Sequence, residues 1–361
     1  MIPNPADRLD YGGCSGRRSR PKFFLVRRPA LPAPHKKTQV IKRSWYEARR
    51  YGLRWRGARA AGRAGGRTGG GGRALRLGLR ERDAAGDAGR RPAPDRQAAR
   101  EPRRAAAALR LAGDLPPRLA AAGIRAPHQL AADAAADPPY AVLEHIPGEP
   151  AAGFMGRPGG AAAVARAMGA LLPQLARVPL AGADLDATWA RPADLARQAA
   201  GQLGRCHALL GGAAAAQVHA LIGALPAAFA GRPAVFAHGD FCPVNALIAL
   251  EAPPRPALVV AGLVDLEWAR LADPLFDAAW WGWVVRYHHA ERWDTAWPAL
   301  LAAAGIERGA VTEARVGMLQ VLRCLELLDE HTRRQGGAAA PVWAERLRAT
   351  LAWGAWPGAG I

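Results

Sequence analysis

His238-Gly239-Asp240-Phe241-Cys242-Pro243-Val244-Asn245 is the stretch on which the reading of this 361-residue chain turns. A brief strand, Val235-Phe236-Ala237, leads into it, and an apolar run from Asn245 to Leu250 leads out. The Pro-rich turn Ala252-Pro253-Pro254-Arg255-Pro256 then gives way to a second apolar run, Ala257 to Val264, which ends in Asp265-Leu266-Glu267-Trp268. Two short apolar runs joined by such a turn predict a β-hairpin. That hairpin places Asn245 at the entry of one strand and Asp265 at the exit of its partner, on the same edge. Asp240 lies on the loop just ahead. Asp273-Pro274-Leu275-Phe276-Asp277 follows and opens a region that reads as helical to the end of the chain.

Three oxygen-bearing side chains converging at one end of a hairpin suit phosphoryl transfer from ATP. That reaction needs a carboxylate to take or orient the proton of the attacking hydroxyl, and Mg²⁺ to bridge the phosphate oxygens. Mg²⁺ takes hard oxygen ligands, with one or two supplied by protein and the rest by phosphates and water. Asp240 can serve the first need, and Asn245 and Asp265 the second. Taken singly, each motif is an ordinary turn feature; their order and spacing carry the argument. A metal hydrolase would bring further His ligands, and the remaining histidines show no ligand spacing. Cys242 has no partner base that would make it a nucleophile.

H-G-D-x-x-x-x-N, an apolar strand ending in D-x-E-W, and then D-P-x-x-D resemble the aminoglycoside-phosphotransferase and choline-kinase-like family, over about residues 97–340. The resemblance implies an α+β, two-lobed protein-kinase-like fold. Its small N-terminal lobe contains β-structure, and its mainly helical C-terminal lobe carries the catalytic hairpin. It implies that Asp240 is the catalytic base, that Asn245 and Asp265 bind Mg²⁺, and that His238 and Asp277 brace the loop. Glu267 would stand in the outer shell of the metal site. Tyr140-Ala141-Val142-Leu143-Glu144, followed by His145-Ile146-Pro147-Gly148, matches the hinge between lobes. Backbone groups near His145 and Ile146 would then hold the adenine of ATP.

The front of the chain departs from the family pattern. A glycine-bearing phosphate loop has two candidates: Gly12 to Gly16 ahead of the strand Phe23-Phe24-Leu25-Val26, and Gly69 to Gly72. In the first, Arg27 would contact phosphates. Glu101 could be the helix residue that pairs with the basic group, at a longer spacing than the family uses. Residues 1–110 hold 29 Lys and Arg against 8 Asp and Glu, a net of +21, whereas residues 111–361 hold 20 against 22, a net of −2. The basic character therefore belongs to the front, and the part rich in large apolar residues is near neutral. Few large apolar residues occur in 52–110, so composition predicts a loose basic segment there. The expected divisions are 1–96, basic and low in complexity; 97–147, the rest of the front lobe and hinge; and 148–361, the helical catalytic lobe.

Helical spacing marks Ala105 to Leu119, Ala161 to Leu180, Pro192 to Leu210, Ala214 to Phe229, Val311 to Glu330 and Val342 to Trp353. Gly123 to Pro127 reads as a turn into a strand. Trp268, Trp280, Trp281, Trp283, Trp293 and Trp297 give the back of the chain an aromatic character that suits either a core or a substrate face. The His288-His289 pair reads as part of a packed helix face. Cys14, Cys206, Cys242 and Cys324 are widely spaced, which fits a reducing compartment. With no signal-peptide core and no long apolar run, the expectation is a cytoplasmic protein without a membrane partner. No aromatic-interleaved basic motif supports specific nucleic-acid recognition. The sequence therefore predicts an ATP- and Mg²⁺-dependent phosphotransferase acting on a small-molecule hydroxyl. The alternative is a catalytically inactive kinase-like binding protein with an incomplete nucleotide lobe.

Overall fold

The computed structural model describes residues 22–26, 101–136, 140–250, 257–333 and 339–354, the side chains of 22–26 and 101–106 excepted. The Arg27 assignment and both candidate phosphate loops lie outside the described residues.

Among the described residues, the front lobe holds a three-stranded sheet and one helix. β1 (Lys22–Val26) runs parallel to β3 (Tyr140–Glu144), and β2 (Gln129–Asp133) pairs antiparallel with β3 on its other side. Both the Phe23–Val26 strand and the hinge strand stand where the apolar runs predict them. The helix α1 (Glu101–Ala121) continues through Pro116 and Pro117. Proline costs a hydrogen bond inside a helix, but Leu115 and Leu119 flank the pair and are fully buried, so packing overrides local propensity.

A second sheet carries the hairpin. β4 (Glu149–Pro150), β6 (Ala246–Leu250) and β7 (Leu258–Leu263) lie in that order, with β6 and β7 antiparallel from Ala246↔Leu263 to Leu250↔Leu258. The hinge is thereby sewn to the hairpin: Glu149 pairs with Ile248, and Ile146 Cδ1 sits so close to Gly262 that a Cβ there would meet it at 2.7 Å. A further two-stranded pair, β5 (Val235–Ala237) with β8 (Arg270–Ala272), brackets the polar loop and the turn after β7. β8 is an element the sequence pattern did not announce: Arg270-Leu271-Ala272 opens on a charged residue, whereas the equally short β5 is an apolar run.

The rest is helical: α2 (Gly160–Gly169), α3 (Leu172–Leu175), α4 (Pro192–Leu210), α5 (Gly212–Ala228), α6 (Phe276–His288), α7 (Trp293–Ala304), α8 (Ala310–Arg333) and α9 (Ala340–Leu351). The single helix expected from Ala161 to Leu180 is instead two. Leu171 N bonds to Met168 O in a tightened turn, and Pro173, which lacks an N–H, starts the short second piece. α8 is the central pillar, packed against α4, α6 and α9. One continuous core links α1 to α9. Trp281, Trp283 and Trp297 are its largest fully buried members, and Trp293 stacks on Trp297 at 5.0 Å. The tryptophan-rich back is thus chiefly core. Trp283 also holds His288 edge-on at 6.0 Å, the packed helix face expected of that pair. Among the described residues no helix is long and apolar enough to cross a membrane, and Cys206, Cys242 and Cys324 are free and buried.

Candidate active site

The site is built on the loop between β5 and β6. Gly239 takes φ +82°, and a Cβ there would fall 1.8 Å from Trp268 O, so no other residue fits. This close approach presses the loop against the turn that follows β7. Asp277, buried near the start of α6, ties the loop from below, accepting the N–H of His238 at 2.7 Å and of Gly239 at 3.1 Å. Burial pushes the Asp277 carboxyl up to about 7, although both N–H groups and Arg270 pull it down.

His238 is fully buried and spans the loop. Asp240 N donates to its Nδ1 at 3.3 Å, so Nδ1 is the acceptor and Nε2–H donates to Val264 O at 3.0 Å. Burial holds the imidazole below its usual range, against the opposing pull of Asp240. A neutral ring in one tautomer acts here as a strut between the loop and the end of β7.

Asp240 is half-buried and well held. Asn245 Nδ2 donates to its backbone oxygen and to its Oδ2, both at 2.9 Å. Trp280 Nε1 donates to Oδ1 at 2.7 Å. Cys242 lies beside it, 3.9 Å from Oδ1, and burial pushes its thiol well above the usual range, so it is a packed thiol and not a thiolate. Asn245 O accepts Val264 N at 2.9 Å, which brings Asp265 to the same edge. Asp265 is exposed and, at φ +66°, is the only non-glycine residue with positive φ among the described residues. Strained backbone of this kind persists where surrounding structure enforces it. Here the neighbours are the short helix Leu266–Trp268 and α1, which packs against it.

The donor set fits Mg²⁺. Both N–H bonds of the Asn245 amide are spent on Asp240, leaving Oδ1 as a hard acceptor, and Asp265 adds an exposed carboxylate. Mg²⁺ takes one or two such protein oxygens, the rest of its shell coming from phosphates and water. Glu267 is exposed on the turn after Asp265. His145 and Ile146 stand where the chain leaves β3, the first half-buried and the second buried against the hairpin. Glu144, just before them, is bound by Arg125 at 2.9 Å, and Arg125 and His128 hold its carboxyl below the usual range although burial opposes this. The structure thus links His238, Asp240, Asn245 and Asp277 by hydrogen bonds, with Asp265 next in the chain to Val264, which bonds both Asn245 and His238; the segment after β3 is anchored to the same hairpin.

Two features escaped sequence reasoning. One is the Trp280 bond to Asp240; its position three residues after Asp277, on the same side of α6, was the available signal. The other is a buried cluster in which Arg270 Nη1 meets Glu326 at 3.0 and 3.1 Å and Arg323 bonds the same carboxylate. Burial would raise Glu326, but the two guanidiniums outweigh it and hold the carboxyl at about 2.

A small sheet-bearing lobe, a hinge, and a helical lobe carrying this loop and hairpin define the kinase-like class of phosphotransferase folds. The chain belongs to the phosphotransferase enzyme family, whose sequence profile matches residues 50–319. The match begins well ahead of residue 97, inside the stretch that composition set apart from the resemblance. Among solved structures, a mutant aminoglycoside 2′-phosphotransferase IIIa in its GDP complex is similar at TM-score 0.56 and 16% identity, over 69% of this chain and 82% of that one. The GDP and kanamycin complex of APH(2″)-IIIa is similar at TM-score 0.55 and 16% identity, over 70% and 84%. At that identity the likeness is one of fold. No curated protein sequence matches the chain.

Proposed function

We propose that this protein transfers the γ-phosphoryl group of ATP, with Mg²⁺, to a hydroxyl of a small molecule. The observation that carries this reading is the joint anchoring of Asp240 and Asn245 at 2.9 Å, with Asp265 bound to the same edge through the Val264 N–H. In this reading Asp240 accepts or orients the proton of the attacking hydroxyl, from a loop whose position His238 and Asp277 fix. Asn245 Oδ1 and the Asp265 carboxylate hold Mg²⁺, and Glu267 supports them from outside. When bound there, Mg²⁺ would supply neutralisation of the phosphate charge. Backbone groups at His145 and Ile146 hold the nucleobase, and Arg27 supplies a phosphate contact from the front lobe.

Because the solved relatives contain GDP, the test pairs two nucleotides. Thermal unfolding of the full chain is followed with Mg²⁺·ATP, Mg²⁺·GTP, and each nucleotide without metal. A ligand that binds only the folded state raises the midpoint by mass action. The expected result is a Mg²⁺-dependent rise that disappears in Asp265→Asn. No rise with either nucleotide, in a protein that unfolds cooperatively, overturns the proposal and leaves a fold without the reaction.

A further inference from the structure

The geometry points to Trp280 as a positioning residue for Asp240, supported from behind by the buried guanidinium of Arg323; this rests on the phosphotransfer reading above. A carboxylate held at one oxygen can still swing about its terminal torsion, which is broad and soft. Asp240 is held at both: Asn245 Nδ2 on Oδ2 at 2.9 Å, and Trp280 Nε1 on Oδ1 at 2.7 Å. The second bond is at the short end for an N–H donor. Oδ1 also faces the Cys242 thiol at 3.9 Å, whereas Oδ2 takes only the Asn245 amide and keeps a further lone pair, so a substrate hydroxyl can still be met there.

The indole has little freedom to turn away. It is 5% exposed and stacks on Trp283 at 4.8 Å with 2° between the planes. Arg323, 1% exposed, places its guanidinium 5.5 Å from the Trp280 ring centroid and 4.4 Å from that of Trp268. A cation over an indole draws electron density from the ring and makes its N–H a stronger donor. Arg323 is fixed there by Glu326, which Arg270 grips from the other side. Two arginines and one glutamate leave the cluster one positive charge in excess, in a buried site where charge acts over longer range than in water. A phenylalanine would keep the stack on Trp283, though not the full volume. The N–H matters only to Asp240.

Trp280→Phe keeps the stack and deletes the donor. In the full chain, kcat for Mg²⁺·ATP turnover, to water or to an added hydroxyl acceptor, should fall about tenfold, the worth of one such bond. The KM for nucleotide should stay within about twofold, since binding is not what the contact serves, whereas the smaller ring should lower the unfolding midpoint by a few degrees. An unchanged kcat, or a loss confined to stability, overturns the proposal. Independently of turnover, the indole N–H proton resonance that vanishes in Trp280→Phe should shift upfield in Asp240→Asn, where the acceptor loses its charge. A resonance that ignores this substitution means the contact is not made in solution, and the proposal falls whatever the kinetics. A resonance that responds, in a wild-type protein that turns over no Mg²⁺·ATP, sinks the phosphotransfer reading instead, and the positioning role with it, while leaving the bond.

Discussion

Asn245 spends both hydrogens of its amide on Asp240, one on the backbone oxygen and one on the carboxylate, each at 2.9 Å. The residue that offers Oδ1 to a metal is therefore also the one that holds the neighbouring carboxylate in place. An aspartate at this position would supply a metal oxygen but set a second negative charge against Asp240. Asn245→Leu, which offers neither a metal oxygen nor an amide N–H, should lower turnover by roughly a hundredfold and abolish the Mg²⁺-dependent rise in the unfolding midpoint. A variant that keeps both would separate the two roles and refute their coupling.

Asp240 and Asp265 should separate chemistry from metal binding. Asp240→Asn is expected to abolish transfer while largely sparing the Mg²⁺·nucleotide stabilisation, because its carboxylate serves the hydroxyl. Asp265→Asn is expected to lose that stabilisation itself. Steady-state turnover and thermal unfolding with and without Mg²⁺, run on the same preparations, decide it; full activity in either variant removes the assignment.

Gly239 tests the loop. Alanine there meets Trp268 O at 1.8 Å and must also adopt φ +82°. Gly239→Ala should cost at least about 3 kcal/mol of stability through strain and overlap, seen as a lower midpoint without ligand. A variant of wild-type stability would mean that the loop and the turn after β7 do not approach so closely.

The buried Arg270–Glu326–Arg323 cluster predicts acid sensitivity. Glu326 titrates near 2 in the fold against its ordinary 4.5. A depressed folded-state value means the unfolded chain binds the proton more readily, so the stabilisation is complete above pH 4.5 and is lost as the pH falls towards 2. The shift corresponds to stabilisation on the order of 3 kcal/mol. Glu326→Gln should lower the midpoint at neutral pH and flatten its dependence between pH 4.5 and 2. An equally steep acid limb in the variant would place the sensitivity elsewhere.

Most of the frame was legible in the chain. Pro192–Leu210, Val235–Ala237 and the β6–β7 hairpin stand within a residue or so of the pattern's expectation, because apolar periodicity and turn residues are local signals. The two-piece helix around Pro173 and the strand β8 were not, because a proline interrupts the helical period and Arg270-Leu271-Ala272, unlike the equally short β5, is not an apolar run.

The order H-G-D, N and D around one hairpin determined by itself that Asp240, Asn245 and Asp265 could meet, since a hairpin fixes its own edge. What held Asp240 was decided only in three dimensions. Trp280 lies 40 residues away, among several tryptophans whose burial the pattern foretells equally well. The direction of one indole N–H depends on how α6 sits over the loop. Arg323 and Glu326 read as surface charges on an amphipathic helix until α8 is packed at the centre of the lobe. A pair of charges is stable there only because Arg270, from β8, arrives to complete the cluster. Periodicity specifies which face is buried; the packing of distant elements specifies what that face touches.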